Sequence, residues 1–244
     1  MNISKILSAI ALVGSCVCLF AQTADEYTLL GNAAYKKGDM AEAREYYAEA
    51  VKAGGNSAEL YFNAGNADAH LGKKGSALLN FMKAKLQNPR LREADANMRM
   101  IASDNGINLP SPTSTQAIVY ELSDYEWSVA AFICFWGVVL ALFLPPLWGK
   151  RNAAYVFLAI IFACVLAFCV YALIEYRQFK NIAVAVTDDV ALRLSPTEHG
   201  IISSTVQEGS IARVLHTHGD FIYASTNSGK RGWAKKDQLC PVSQ

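Results

Sequence analysis

Two runs without a single charged residue constrain this chain most: SVAAFICFWGVVLALFLPPL at residues 128–147 and NAAYVFLAIIFACVLAFCVYALI at residues 152–174. About 20 helical residues cross the roughly 30 Å hydrocarbon layer of a bilayer, so each run is long enough to span one. Tyr125, Trp127 and Trp148 flank the first run, and Tyr155 and Tyr176 flank the second, where amphipathic rings settle at a membrane interface. Pro145 and Pro146 fall at the end of the first run, where lost helical hydrogen bonds matter least. The short loop between the runs carries Lys150 and Arg151. Short basic loops stay cytoplasmic, which sends both larger ends to the opposite side.

A third apolar run, Ile6 to Phe20, follows Lys5 and is followed by Ala21 and Ala24. Its length suits a secretory signal over residues 1–21, cleaved after Ala21, better than a span. A lipoprotein-type site at Cys16, in VGSC, is the alternative. A cleaved signal demands the same topology as the basic loop. With 52% hydrophobic and 18% charged residues among 244, the chain is too apolar for one ordinary soluble domain, and these three runs hold the excess.

Between the first run and the spans the sequence repeats itself. A shift of 34 residues aligns Tyr27 with Tyr61, Gly31 with Gly65, Gly38 with Gly72, Ala43 with Ala77, Tyr47 with Phe81, and Ala50 with Ala84. Apolar and small residues within each unit recur at helical spacing and break once near the second glycine, so each unit reads as a helical hairpin. Small residues mark where helices touch, and the aromatic rings fill the layers between. The pattern Tyr27, Leu30, Gly31, Gly38, Ala43, Tyr47, Ala50, with Pro89 ending the second copy, resembles the tetratricopeptide repeat. Ala64 stands in place of the usual leucine, and Gly55 in place of the first proline. Two units fall short of the roughly three that such stacks need, and LREADANMRMIAS, residues 91–103, reads as a capping helix. The repeat domain is thus expected over residues 24–103. Residues 104–124, which include DNGINLPSPTSTQ, read as an exposed linker.

After spans expected at 125–148 and 153–175, joined by the loop 149–152, residues 181–244 change texture. Short β-branched runs alternate with turn signals, predicting about five strands in a small barrel. The stretches ALRLSPTEHG, EGSIARVL, HGDFIYA and GKRGWAKKDQL resemble the bacterial SH3 domain at Leu192, Arg193, Pro196, Gly209, Val214, Asp220, Gly232, Trp233 and Leu239, with Phe221 where tryptophan is usual. The expected class is a multidomain membrane protein: an all-α tetratricopeptide repeat stack, two transmembrane helices and a small all-β SH3-like barrel.

Catalytic signals are sparse. The formal charge of +1 leaves no electrostatic footprint for nucleic acid. Of four histidines, only His216 and His218, with Asp220, stand at a spacing that suits a metal, and exposed polar strand residues are the preferred reading. Cys16 and Cys18 lie in the signal, and Cys134, Cys164 and Cys169 in the spans, leaving Cys240 alone outside; a disulfide framework does not fit. No Ser-His-Asp pattern or phosphate loop is present. A non-enzyme without cofactor or metal is expected.

Binding then falls to two surfaces. Tetratricopeptide repeats present the inner face of their first helices to a partner, and the resemblance puts Thr28, Asn32, Tyr35 and Lys36, then Phe62, Asn66, Ala69 and His70, on that face. Asn32 and Asn66 share a repeat position: they either form a ladder that reads an extended peptide backbone or tie neighbouring helices together. Repeats of this family that clamp a terminal carboxylate use several basic residues in the groove; only Lys36 is available here, so that specificity is not expected. In the barrel, Trp233 either lines a groove with Tyr223 and Arg193 or plugs the core. The plug is preferred, because a 64-residue domain has little else to bury.

The whole order of signal, repeats, two spans with a basic loop, and barrel resembles the BatE-type proteins of the Bacteroides aerotolerance family. That resemblance implies an inner-membrane protein acting with Bat proteins that carry von Willebrand A domains and with a MoxR-type ATPase, in oxygen or envelope stress. Both exported modules would then lie in the periplasm and the Lys150–Arg151 loop in the cytoplasm. A scaffold acting through the repeat groove is the expected role. The alternative is a cell-wall tether or sensor whose barrel binds peptidoglycan.

Overall fold

The structure, a computed structural model, describes residues 23–147 and 153–243. The signal run, Trp148 and the Lys150–Arg151 loop lie outside the described residues. The chain divides into two compact units, one formed by the described parts of Met1–Leu109 together with Ile182–Gln244, the other by Pro110–Asn181.

The first unit opens with five helices: α1 (residues 23–37), α2 (Met40–Lys52), α3 (Ala58–His70), α4 (Lys74–Gln87) and α5 (Arg92–Asn105). Asp39 caps α2 by accepting from the Glu42 N–H, and Ser57 caps α3 by accepting from the Leu60 N–H, which satisfies donors that the first turn leaves unpaired. The 34-residue period is written into the packing. A Cβ on Gly31 would sit 2.5 Å from the Tyr47 ring, and one on Gly65 would sit 2.8 Å from the Phe81 ring. Each glycine therefore admits the fully buried ring of its own hairpin.

Polar contacts repeat with the same period. Asn63 donates to Asn32 Oδ1 at 3.0 Å, and 34 residues later Asn97 donates to Asn66 Oδ1 at 2.9 Å. By this criterion α5 is the first helix of a third unit. The next helix in the chain belongs to the other unit, and a β-sheet shares the core of α4 and α5 instead. Ala77, Leu78, Phe81 and Met82 of α4 and Ala94, Met98 and Ile101 of α5 share one core with Val184, Ile211 and Val242 of the sheet. The stack that is two units long by sequence is completed by the strands.

Seven antiparallel strands form that sheet: β1 (Ile182–Ala185), β2 (Val190–Arg193), β3 (Ile202–Val206), β4 (Ile211–His218), β5 (Phe221–Thr226), β6 (Arg231–Lys235) and β7 (Leu239–Pro241), in the order β3-β2-β6-β5-β4-β1-β7. The sequence pattern predicts about five; seven are present, the shortest of them, β7, at one edge of the order. Ala183, Val190, Leu192, Val206, Ile222, Ala234 and Leu239 belong to a single core, so the sheet curls round on itself. Strand β1 is apolar at every position because alternate residues are buried on opposite faces: Ala183 and Ala185 inside the curl, Val184 against α4.

The second unit contains α6 (Ser114–Val119), α7 (Asp124–Leu147) and α8 (Ala153–Lys180). Both α7 and α8 are long and apolar enough to cross a membrane, and most of their apolar windows face outward. A Cβ on Gly137 would lie 2.7 Å from the Phe162 ring, which marks the close approach of the pair. The linker expected over 104–124 is only partly irregular. Helix α5 runs on through Asn105, and Thr113 and Gln116 close a capping box that starts α6. Val119 at its end is fully buried, and its carbonyl accepts from Trp127 Nε1 at 3.0 Å.

Candidate functional site

Of the expected groove residues, Asn32, Tyr35 and Lys36 lie on α1, and Phe62, Asn66 and His70 on α3. Tyr35 and His70 meet edge to face with ring centres 6.0 Å apart. Lys36 and His70 are exposed, and Tyr35 is half-buried. These three groups are available to a partner. The asparagines are otherwise engaged. Asn32 Oδ1 accepts from Tyr47 Oη at 2.8 Å as well as from Asn63, and Asn66 Oδ1 accepts from Asn97. Their acceptors tie neighbouring helices, which leaves only the amide donors for a peptide. Phe62 packs on the Phe81 ring at 5.7 Å and borders the shared core, and Thr28 donates back to Ala24 of its own helix.

Burial tunes this face. The Tyr47 phenol is pushed up to about 12 by burial first, then by the nearby Tyr35 and Glu59. It stays a neutral donor to Asn32 throughout the physiological range.

A buried carboxylate on α3, paired with a half-exposed arginine, was not singled out from the sequence. Asp68, 2% exposed, accepts from Arg44 Nε at 2.7 Å and from Asn80 Nδ2 at 2.8 Å. Desolvation pushes its carboxyl up, and Arg44 and Asn80 pull it back. The available signal was the periodicity itself: one repeat earlier the same position holds Ala34, which is also buried. A carboxylate at a small-residue position has to bring its own partners.

The sheet presents a second surface, and here the core-plug reading of Trp233 is corrected. Residues of β6 alternate, with Gly232 and Ala234 buried and Arg231, Trp233 and Lys235 outward. On the inside Gly232 lies against Leu192, where even a Cβ would come within 2.8 Å, so this strand has no room for an inward indole. Trp233 stands half-buried on the outer face, its strand register placing it between Arg193 and Tyr223. The Tyr223 and Trp233 rings are 5.3 Å apart, with planes 50° from parallel. His216 stacks on Tyr223, and the His218 ring lies edge-on to Trp233.

Among the described residues no group of three or more His, Cys, Asp or Glu side chains could hold a metal ion. Cys240 donates to the Lys236 carbonyl, and burial pushes its thiol up, away from the reactive thiolate form. A cleft of about 880 Å³ opens where Lys74 and residues 105–108 meet the sheet. It mixes Asp188, Asp189 and Glu208 with Lys74 and Lys230 and so favours no single sign of charge. Neither a scan against protein-family models nor a search of curated proteins returns a match.

Proposed function

We propose that this chain is a non-enzymatic, membrane-anchored scaffold that holds partner proteins on the inner face of α1 and α3. The observation that carries the reading is the Tyr35–His70 contact, which joins successive first helices in one accessible surface alongside Lys36. Aromatic and amphipathic groups on a rigid helical scaffold bind at low entropic cost. Helices α7 and α8 provide the anchor, here read as inner-membrane spans with both larger parts in the periplasm. The partners in this proposal are von Willebrand A-domain Bat proteins of the same membrane, with a MoxR-type ATPase as a further member of the assembly.

The test is crosslinking in intact cells followed by affinity recovery, comparing the full chain with a Tyr35→Ala, Lys36→Glu, His70→Ala variant. Membrane partners that are recovered with the first and lost with the second, at equal membrane abundance, support the scaffold. An unchanged set of partners removes the groove from the mechanism.

A further inference from the structure

The outer face of the sheet continues well past Trp233. Strand register aligns Ile202, Arg193, Trp233, Tyr223 and His216 in one row across β3, β2, β6, β5 and β4. Parallel rows on the same face hold Arg213, Ser225 and Arg231 on one side and His218, Phe221 and Lys235 on the other. No carboxylate occupies any of these positions. Lys235 does reach Glu198 of the β2–β3 hairpin. Among the described residues, Arg193, Arg213 and Arg231 are then left as cations with no carboxylate in direct contact. Ile202, at the end of the row, is 53% exposed, and the hairpin beyond it exposes Leu194 at 65% and Ile201 at 73%. Leu194 and Ile201 are held side by side by the Leu194 N–H bond to the Ile201 carbonyl at 2.9 Å.

We infer that this face rests on an anionic membrane surface, with Leu194, Ile201 and Ile202 entering the interface and the arginines drawing acidic headgroups. Three observations favour a lipid surface over another occupant. Exposed aliphatic groups at one hairpin beside outward rings and cations match the layered chemistry of a bilayer edge, where aliphatic chains, Trp and Tyr rings and Arg each have their depth. The 50° tilt between Tyr223 and Trp233 denies a flat platform for stacking a planar ring. The chain leaves α8 at Lys180 and enters β1 at Ile182, so Asn181 alone links an apolar helix to the sheet. Helix α8, 28 residues and about 42 Å long, exceeds the hydrocarbon thickness, so its polar end reaches the headgroup layer. The inference rests on α7 and α8 spanning the membrane.

Benzophenone placed at Ile201 in the full chain, reconstituted into nanodiscs of phosphatidylcholine with phosphatidylglycerol, tests it; a second chain carries the probe at Phe143 of α7. Phospholipid adducts at both positions are expected. At position 201 they should fall at least about fivefold in discs of phosphatidylcholine alone, and likewise with Arg213→Glu and Arg231→Glu, since each surface cation is worth about that factor on an anionic leaflet. Both arginines are exposed, so the reversal leaves the core untouched. Lipid adducts at 143 with none at 201 overturn the surface while leaving the spans in place. No lipid adduct at either position overturns the spanning reading and the inference with it. Adducts at 201 to a protein or to cell-wall glycan when the same probe is used in cells, in place of lipid, assign the face to that partner and overturn the inference.

Discussion

Glu208, in the turn between β3 and β4, accepts through Oε1 a hydrogen bond from the backbone N–H of Gly75 at 2.8 Å, 133 positions away in the chain. Gly75 is in the first turn of α4, whose own N-cap residue, Lys73, makes no side-chain cap bond. A carboxylate at a helix N-terminus satisfies an orphan donor and meets the positive end of the helix dipole. The sheet thus caps the helix on which it is docked.

Gly75→Ala should loosen this union. Its Cβ would lie 2.1 Å from the Ala185 carbonyl oxygen, a backbone atom that cannot swing away. Overpacking of this kind costs about 1–3 kcal/mol, whereas Glu208→Ala, which removes only the cap, should cost about 1 kcal/mol. Thermal unfolding of the detergent-solubilised chain measures both. A Gly75→Ala chain that melts with the parent would show that the sheet is not packed here.

The Tyr47 phenol predicts an alkaline limit. Its pKa is about 12 when folded, against an ordinary value of 10.0 when unfolded. The folded state therefore holds the proton longer, and the stabilisation is complete below about pH 10 and lost as pH rises to about 12, at about 1.4 kcal/mol per unit. Tyr47→Phe should lower stability at neutral pH by about 1 kcal/mol through loss of the bond to Asn32, and should flatten the decline in the alkaline range. Denaturant midpoints of the two chains across this range settle the comparison; parallel curves would mean that Tyr47 ionises freely in the fold.

Much of this architecture was legible because it is periodic. Gly31 and Gly65, or Asn32 and Asn66, play equal parts 34 residues apart, and two charge-free runs needed no partner to be recognised as apolar helices. What escaped was whatever depends on a distant surface. IAVAV in β1 reads as a strand, but its unbroken apolarity means that both faces are covered, and only α4 shows by what. Trp233 looked like a plug because volume alone suggests burial, while the alternation along β6 gives the inward positions to Gly232 and Ala234. Asp68 was hidden for a related reason, since its partners Arg44 and Asn80 come from two other helices.

The asparagine bonds should be structural in both repeats. Asn32→Ala leaves the Tyr47 hydroxyl and the Asn63 amide without their acceptor, and Asn66→Ala leaves the Asn97 amide without one. Half-buried donors stranded in this way cost about 1–3 kcal/mol. Double-mutant cycles on Asn32 with Asn63 and Asn66 with Asn97 should give couplings of the same sign, each about 0.5–1 kcal/mol. Vanishing coupling in either cycle would release that asparagine to bind a partner.

In the apolar pair, Cys134 of α7 lies within hydrogen-bonding reach of Cys169 of α8, and both are buried. Cys164 is exposed on α8. Mild oxidation with copper phenanthroline, which takes up the two electrons released as the thiols lose their protons, should join Cys134 to Cys169 within one chain. Protection of these two thiols from alkylation, with Cys164 still labelled, reads the bond, and Cys134→Ser should abolish it. Gly137→Leu supplies the geometric control. The new side chain begins where a Cβ already lies 2.7 Å from the Phe162 ring, so the helices must separate and the yield of the bond must drop. Equal yields in the parent and the Gly137→Leu variant would mean that α7 and α8 do not cross at this glycine, and that the pair is held by other contacts along its length.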